Sequence, residues 1–222
     1  MKKKNLVLFC LLSTGFFLQA QTFINYNTLS GRDAGAAVSA YTSNNNSEMN
    51  GSYYLFEKWD NNATFLLNNE EYLIKNINFD LLNGKFVSQI SNDSVFVFYN
   101  LDKIFISGKT FININNRYYQ SFDCSNPKNC FLKEYYIKQL KPEVHVITNK
   151  VIKPGENKLM KKYFVYLNDS LTEIKLNKKD ILDIFRLKND EIINFVKMNK
   201  ISYQNEDDVL KIYRFYQSLL ID

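Results

Sequence analysis

The chain has 222 residues, and its 28 Lys and Arg against 23 Asp and Glu give a formal net charge of +5. Residues 1–20 hold three lysines and no acid, so the rest of the chain carries only +2. Nucleic-acid binding needs a concentrated basic patch, which this balance does not suggest, and we expect no nucleic-acid partner. The length is sufficient for one sizeable core or two small domains.

The first predicted element is a secretory signal peptide over residues 1–20. Lysines at positions 2–4 precede a short apolar run, and Ala20 is a small residue at a suitable cleavage point. The run is shorter than the roughly 20 residues that span a bilayer, so cleavage is favoured over an uncut anchor. Cys10 lies inside the run and would be lost on cleavage. The sequence thus predicts an exported protein, periplasmic or secreted, with no transmembrane span after cleavage.

The next two segments differ in pattern. Residues 21–50 show no steady hydrophobic period and are predicted to be an irregular arm or linker. Residues 51–176 alternate short apolar runs with turn formers, which predicts a β-rich domain: an antiparallel meander, barrel-like or sandwich. The strongest hairpin signal is Asn83-Gly84. Further turns are predicted at Asn92-Asp93, Gly108-Lys109, Asn115-Asn116 and Asn168-Asp169.

Cleavage would leave two cysteines, Cys124 and Cys130, in the stretch CSNPKNC. An even pair in an exported protein predicts a structural disulfide. The alternatives are a labile redox switch, although the spacing is not C-x-x-C, and a metal site, although zinc normally takes four ligands. Aromatic and apolar residues flank the turn-forming SNPKN, so we expect the cysteines where two strands of a hairpin leave for the loop.

Residues 177–222 form a predicted helical subdomain of three short helices, packed on the β-rich domain. Their apolar spacing is helical, and Asn177, Asn189 and Asn205 are the predicted N-caps. Asp208 completes a box-like start to the last helix. Helices this short are not stable alone, so they need tertiary packing. The predicted fold class is therefore α+β, a β-rich domain followed by three C-terminal helices.

Two regions of the chain carry recognisable motifs. The first contains Gly51, Ser52, Tyr54 and Leu55, followed by Phe79-Asp80. The second is the ending, in which a tyrosine-bearing strand, a lysine-rich first helix and a closing helix precede Ser218-Leu219-Leu220. With these motifs the chain resembles an uncharacterised family of exported proteins of Bacteroidota, over about residues 51–222. The resemblance implies export, but it implies nothing about which activity, if any, the protein has. The cysteine pair departs from the family pattern, which favours a local addition to a hairpin.

Few residues indicate catalysis. The only histidine, His145, lies in an alternating strand-like run, and a histidine base needs a nucleophile close in space. Two acidic pairs, Asp190-Glu191 and Asp207-Asp208, fall where first helical turns are predicted and favour the positive end of the helix dipole. We therefore predict no catalytic, cofactor-binding or metal-binding residue and no cofactor. The 15 Tyr and 18 Phe are interpreted mainly as core packing.

Three functional hypotheses remain. The first is a non-enzymatic envelope protein that binds a protein or a glycan or has a structural role. The second is a hydrolase whose site is built from scattered carboxylates or His145. The third is an inhibitor or immunity-type partner of another exported protein. Asp93-Ser94-Val95 and Asp169-Ser170-Leu171 resemble O-glycosylation sites of exported Bacteroidota proteins, but both also read as hairpin turns.

Overall fold

The computed structural model describes residues 35–39, 49–67, 70–91, 94–126 and 129–220, the first of these ranges as backbone only. The predicted signal peptide, most of the predicted arm and the Asn92-Asp93 turn lie outside these ranges. The described strands are β1 Gly35–Ser39, β2 Met49–Asn50, β3 Ala63–Leu67, β4 Glu70–Ile74, β5 Ile77–Asp80, β6 Lys85–Ser91, β7 Ser94–Phe98, β8 Lys103–Ile106, β9 Lys109–Ile114, β10 Arg117–Asn126, β11 Asn129–Leu140, β12 Glu143–Val144, β13 Val151–Lys153, β14 Gly155–Leu167 and β15 Ser170–Ile174. The described helices are α1 Lys178–Ile184, α2 Asn189–Asn199 and α3 Glu206–Ser218, with a 3-10 turn at Arg186–Lys188.

The strands form two main sheets and one two-stranded ribbon. The large sheet has the order β15-β14-β11-β10-β9-β8-β3-β4, and β2 pairs with β14 off this path. The small sheet has the order β1-β7-β6-β5, and β12 pairs with β13 separately. Neighbouring strands are antiparallel except for the parallel contact of β2 with β14. The predicted α+β class, a β-rich domain followed by three helices, is confirmed, and the sheets pack in a sandwich-like arrangement.

Tight turns connect the meander of the large sheet. Ser107-Gly108, Asn115-Asn116 and Asn168-Asp169 all have positive φ, which two-residue hairpin turns of the favoured type require. The last two were predicted, and the first lies one residue before the predicted Gly108-Lys109. The Asn83-Gly84 signal also marks a hairpin, but its loop spans residues 81–84, and Gly84 supplies the positive φ. Local sequence therefore sets the strand connections.

One face of the large sheet carries two cores side by side. The small sheet covers one part of this face, where Phe79 and Phe86 pack against Phe111 and Tyr118. The three helices cover the other part, where Tyr213 packs over Phe131. Aromatic side chains fill both cores, as their number predicted. We call this covered side the inner face and the opposite side the outer face.

Two of the three predicted helix caps are present. The side chains of Asn177 and Asn205 accept hydrogen bonds from the backbone N–H of Asp180 and Asp208. The prediction for Asn189 is wrong, because Asn189 is the first helical residue of α2. The 3-10 turn leads directly into that helix and makes Lys188 the N-cap, without a side-chain cap hydrogen bond.

The segment predicted as an irregular arm contributes strands at two places. β1 pairs along its full length with β7 in the small sheet, and β2 joins the start of β14. The two halves of the first motif region also meet, since Leu55 donates its N–H to the carbonyl of Phe79 and Tyr54 bridges to Asp80. Residues 53–56 are thereby fixed along β5.

Candidate functional site

The predicted cysteine pair lies near the loop that connects β10 to β11. The two sulfur atoms of Cys124 and Cys130 are at disulfide distance, and the Cα atoms are 4.7 Å apart, within the usual disulfide range. The strands extend beyond the cysteines, to the register pair Asn126 and Asn129. The pair therefore joins the two strands just before the hairpin loop, close to the position predicted from the sequence.

A cleft of about 500 Å³ lies beside this pair on the outer face. Cys130 and Tyr166 are register partners there, as are Ile112 and Tyr119 in the neighbouring strands. Every second side chain along a strand lies on the same face of the sheet, so the cysteine pair lies on the same face as Ile112 and Ile114. These two isoleucines form the aliphatic floor of the cleft. The described lining residues are Lys103, Ile112, Asn113, Ile114, Asn115, Ser121, Cys124, Cys130 and Tyr166.

The cleft combines an apolar floor with hydrogen-bonding groups. Ile112, Ile114 and Cys124 supply apolar surface above the fully buried Cys130, while two amides, two hydroxyls and one ammonium supply donors and acceptors. Some of these groups already have partners within the protein. The Tyr166 hydroxyl donates to Oδ1 of Asp169 at 3.2 Å. Such a surface can hold a polar ligand by hydrogen bonds while its nonpolar parts contact the floor.

A second cleft of about 320 Å³ lies where the β5–β6 and β9–β10 turns approach β11. Its lining includes three tyrosines and the ion pair of Arg117 with Glu134, 3.7 Å apart. Burial is the main cause that raises the pKa of Tyr135 to about 12, and the charge of Glu206 adds to it. The hydroxyl of Tyr135 therefore stays protonated and donates to Oε1 of Gln120 at 2.6 Å.

A buried ionic network joins the sheet to α3. The Lys133 ammonium donates to Oε1 of Glu206 at 2.7 Å, and the Tyr163 hydroxyl donates to Oε2 at 2.6 Å. Burial alone would raise the pKa of the Glu206 carboxyl, but these two hydrogen bonds, together with the positive charges of Lys133 and Lys161, outweigh burial and lower the pKa. Burial also raises the pKa of Tyr163, and its bond to Glu206 adds to the rise. Both carboxylate oxygens are thus occupied in holding the helix to the sheet.

His145 lies away from both clefts, at the tip of the β12–β13 hairpin. It is exposed, and its Nδ1 accepts weak hydrogen bonds from the N–H groups of Ile147 and Thr148. The predicted acidic pairs lie in the first turns of α2 and α3, as expected for the helix dipole. Among the described residues, neither His145 nor these acidic pairs line either of the two clefts.

Neither cleft was predicted from the sequence, and nor was the ionic network. Lys133 lies 73 residues before Glu206, and no local pattern pairs them. Within the described residues, no group of three or more His, Cys, Asp or Glu side chains is arranged to hold a metal ion. Over the same ranges, no helix combines the length and apolar character needed to cross a bilayer. No family model matches the chain, and the searches of curated proteins and solved structures gave no match either.

Proposed function

We propose that this is an exported protein of the cell envelope that binds a protein or glycan ligand at the cleft beside the cysteine pair. The observation that carries the proposal is the composition of that cleft, in which amides, hydroxyls and the Lys103 ammonium surround an aliphatic floor. Amide, hydroxyl and ammonium groups can form hydrogen bonds both with the hydroxyls of sugars and with the carbonyls of peptides. The signal-peptide pattern supports the export, and the resemblance over residues 51–222 agrees with it.

The structural setting supports binding by a preformed site. The cleft is built on β8 to β11 and β14, which form a continuous antiparallel part of the large sheet. Sites on strands hold their side chains more firmly than sites on loops, which lowers the entropy cost of binding. The pair Cys124–Cys130 ties two of these strands together at the edge of the cleft.

The test is a screen of the purified protein against a glycan array, combined with crosslinking in the native envelope. For any ligand found, Lys103→Ala and the cleft-filling variant Ser121→Tyr should each weaken binding at least about tenfold, as loss of a charged contact and a steric block predict. Lys138→Ala, an exposed lysine on β11 outside the cleft, is the matched control and should bind normally. Arg117→Ala reports on the second cleft.

Two outcomes would refute the assignment of the site. In the first, a ligand binds equally well to the Lys103 and Ser121 variants. In the second, binding is lost only with Arg117→Ala, which would move the site to the second cleft. Turnover of a glycan or peptide by the wild-type protein would instead favour the hydrolase hypothesis, and His145→Ala would then show whether the histidine takes part.

A further inference from the structure

The hairpin formed by β12, β13 and their turn, which we call the tip hairpin (residues 143–153), has an unusual surface. Five of the 13 exposed large hydrophobic side chains in the described residues lie in this hairpin, namely Val144, Val146, Ile147, Val151 and Ile152. Val146 and Ile147 in the turn are 92% and 86% exposed, and Ile152 on β13 is 65% exposed. Aliphatic side chains at such exposure are common singly, but a cluster of them marks an interaction surface.

The tip hairpin projects from the longest strand pair among the described residues. β11 and β14 pair through twelve consecutive residues, from Asn129 with Leu167 to Leu140 with Glu156. Pro142 and Pro154 then interrupt the ladder, because proline has no N–H to donate. At this joint Gly155 is buried, and a Cβ there would lie 2.6 Å from the carbonyl oxygen of Leu140. The close packing fixes the base from which the tip hairpin extends.

Positive charge accompanies the aliphatic cluster. Between residues 138 and 162 the chain has seven lysines and two acids, Glu143 and Glu156. In the tip hairpin itself, Lys150 and Lys153 are exposed, and Glu143 approaches Lys153 only loosely, at 3.9 Å between side chains that are both about 70% exposed. The rest of the chain after residue 20 is correspondingly more acidic, so the basic character is concentrated on the tip hairpin together with the adjoining parts of β11 and β14.

We propose that the tip hairpin docks onto an anionic lipid surface, inserting Val146, Ile147 and Ile152 among the acyl chains while its lysines contact lipid headgroups. Aliphatic side chains at a tip with lysines beside them are complementary to the two layers of such a surface. A protein partner would need about 800 Å² of matched surface, which a two-stranded ribbon does not readily present. A lipid surface requires no matching shape. The docking surface is separate from the proposed ligand cleft.

Vesicle binding of the purified protein tests the proposal. Cosedimentation should be strong with mixed phosphatidylcholine and phosphatidylglycerol vesicles, and weak with phosphatidylcholine alone. Lys150→Glu with Lys153→Glu should weaken binding by at least about 25-fold, because each lysine contributes about fivefold at an anionic surface. Val146→Asp with Ile147→Asp should weaken it by at least about tenfold. In contrast, Ile147→Trp should bind and show a blue-shifted emission on binding.

A matched control comes from the helices. Leu187 and Met198 are 77% and 83% exposed, so Leu187→Asp with Met198→Asp removes comparable surface elsewhere and should leave vesicle binding unchanged. The proposal is overturned if the wild-type protein does not bind anionic vesicles, or if the tip variants bind them as well as the wild type does. It is also overturned if Ile147→Asp instead abolishes crosslinking to an envelope protein, which would identify the tip hairpin as a protein-docking surface.

Discussion

Replacement of Glu206 by Gln tests the buried network that holds α3 to the sheet. The Lys133 side chain is 5% exposed and that of Glu206 is 26% exposed. Loss of one partner from a buried ion pair costs about 3–5 kcal/mol. Glu206 is partly solvated and glutamine still accepts a hydrogen bond, so we expect a loss of about 2–3 kcal/mol in the free energy of unfolding. For a chain of this size that corresponds to a fall in Tm of about 5–10 °C.

The assay is guanidinium unfolding at neutral pH, followed by circular dichroism. Glu173→Gln is the matched control, because its pair with Lys162 is 3.2 Å long but both side chains are about half exposed. We expect that control to cost less than about 0.5 kcal/mol. Equal losses for the two variants would refute the argument. Addition of Lys133→Met to Glu206→Gln should recover part of the loss, because it removes the uncompensated buried charge.

The pH dependence gives an independent check. The pKa of Glu206 is lowered in the folded state, so its ionised form stabilises the protein above the usual glutamate pKa of about 4.3. That stabilisation is lost as the pH falls from this value through the lowered pKa. The difference in stability between wild type and Glu206→Gln should therefore be full at neutral pH and shrink in acid. A difference that stays constant down to pH 2 would contradict the assigned cause.

Two further predictions concern other parts of the molecule. The protein without residues 1–20, purified unreduced and then denatured, should show no free thiol in a thiol assay. Cys124→Ser should lower the free energy of unfolding by about 2 kcal/mol without abolishing the fold. Asn78→Ala should cost about 2–3 kcal/mol, because the side chain is fully buried and its loss leaves the N–H and carbonyl of Phe56 without their partner.

Each of these has an outcome that would contradict it. One reactive thiol or more in the wild-type protein would mean that the cysteines are not bonded in solution. For Asn78→Ala the control is Asn199→Ala at the exposed end of α2, which should change stability by less than about 0.5 kcal/mol. Equal effects of the two asparagine variants would show that residues 53–56 do not depend on the bonds from β5.

Features set by neighbouring residues were predictable from the sequence. Asn115-Asn116 and Asn168-Asp169 favour positive φ, and Asn177 and Asn205 cap helices through residues three positions later. The predicted cap at Asn189 is absent for another local reason. The 3-10 turn before it leads directly into α2, so that Asn189 is already a helical residue. Turn and cap chemistry thus determines where elements begin, unless a preceding element runs into them.

Features that depend on distant residues were not predictable. The alternation around His145 predicts a strand in which one side is buried. In the fold both sides of the tip hairpin are exposed, and no local pattern indicates this. Nor does any pattern near Lys133 reveal that a glutamate 73 residues later neutralises it. The outer-face cleft likewise needs five strands in their actual order. Strand order and register are global properties, and a single sequence carries no local signal for them.

β11 connects the two cores, the cleft and the tip hairpin. Its alternate side chains Phe131, Lys133 and Tyr135 share the inner face. Phe131 lies in the core under the three helices, and Tyr135 lies in the core between the two sheets. Lys133 lies between them, with its ammonium 4.7 Å from the Phe122 ring centre and paired with Glu206. Cys130 faces the cleft on the other side. Since the same strand continues to the base of the tip hairpin, a protein anchored at that tip would hold the cleft at a fixed distance from the anchoring surface.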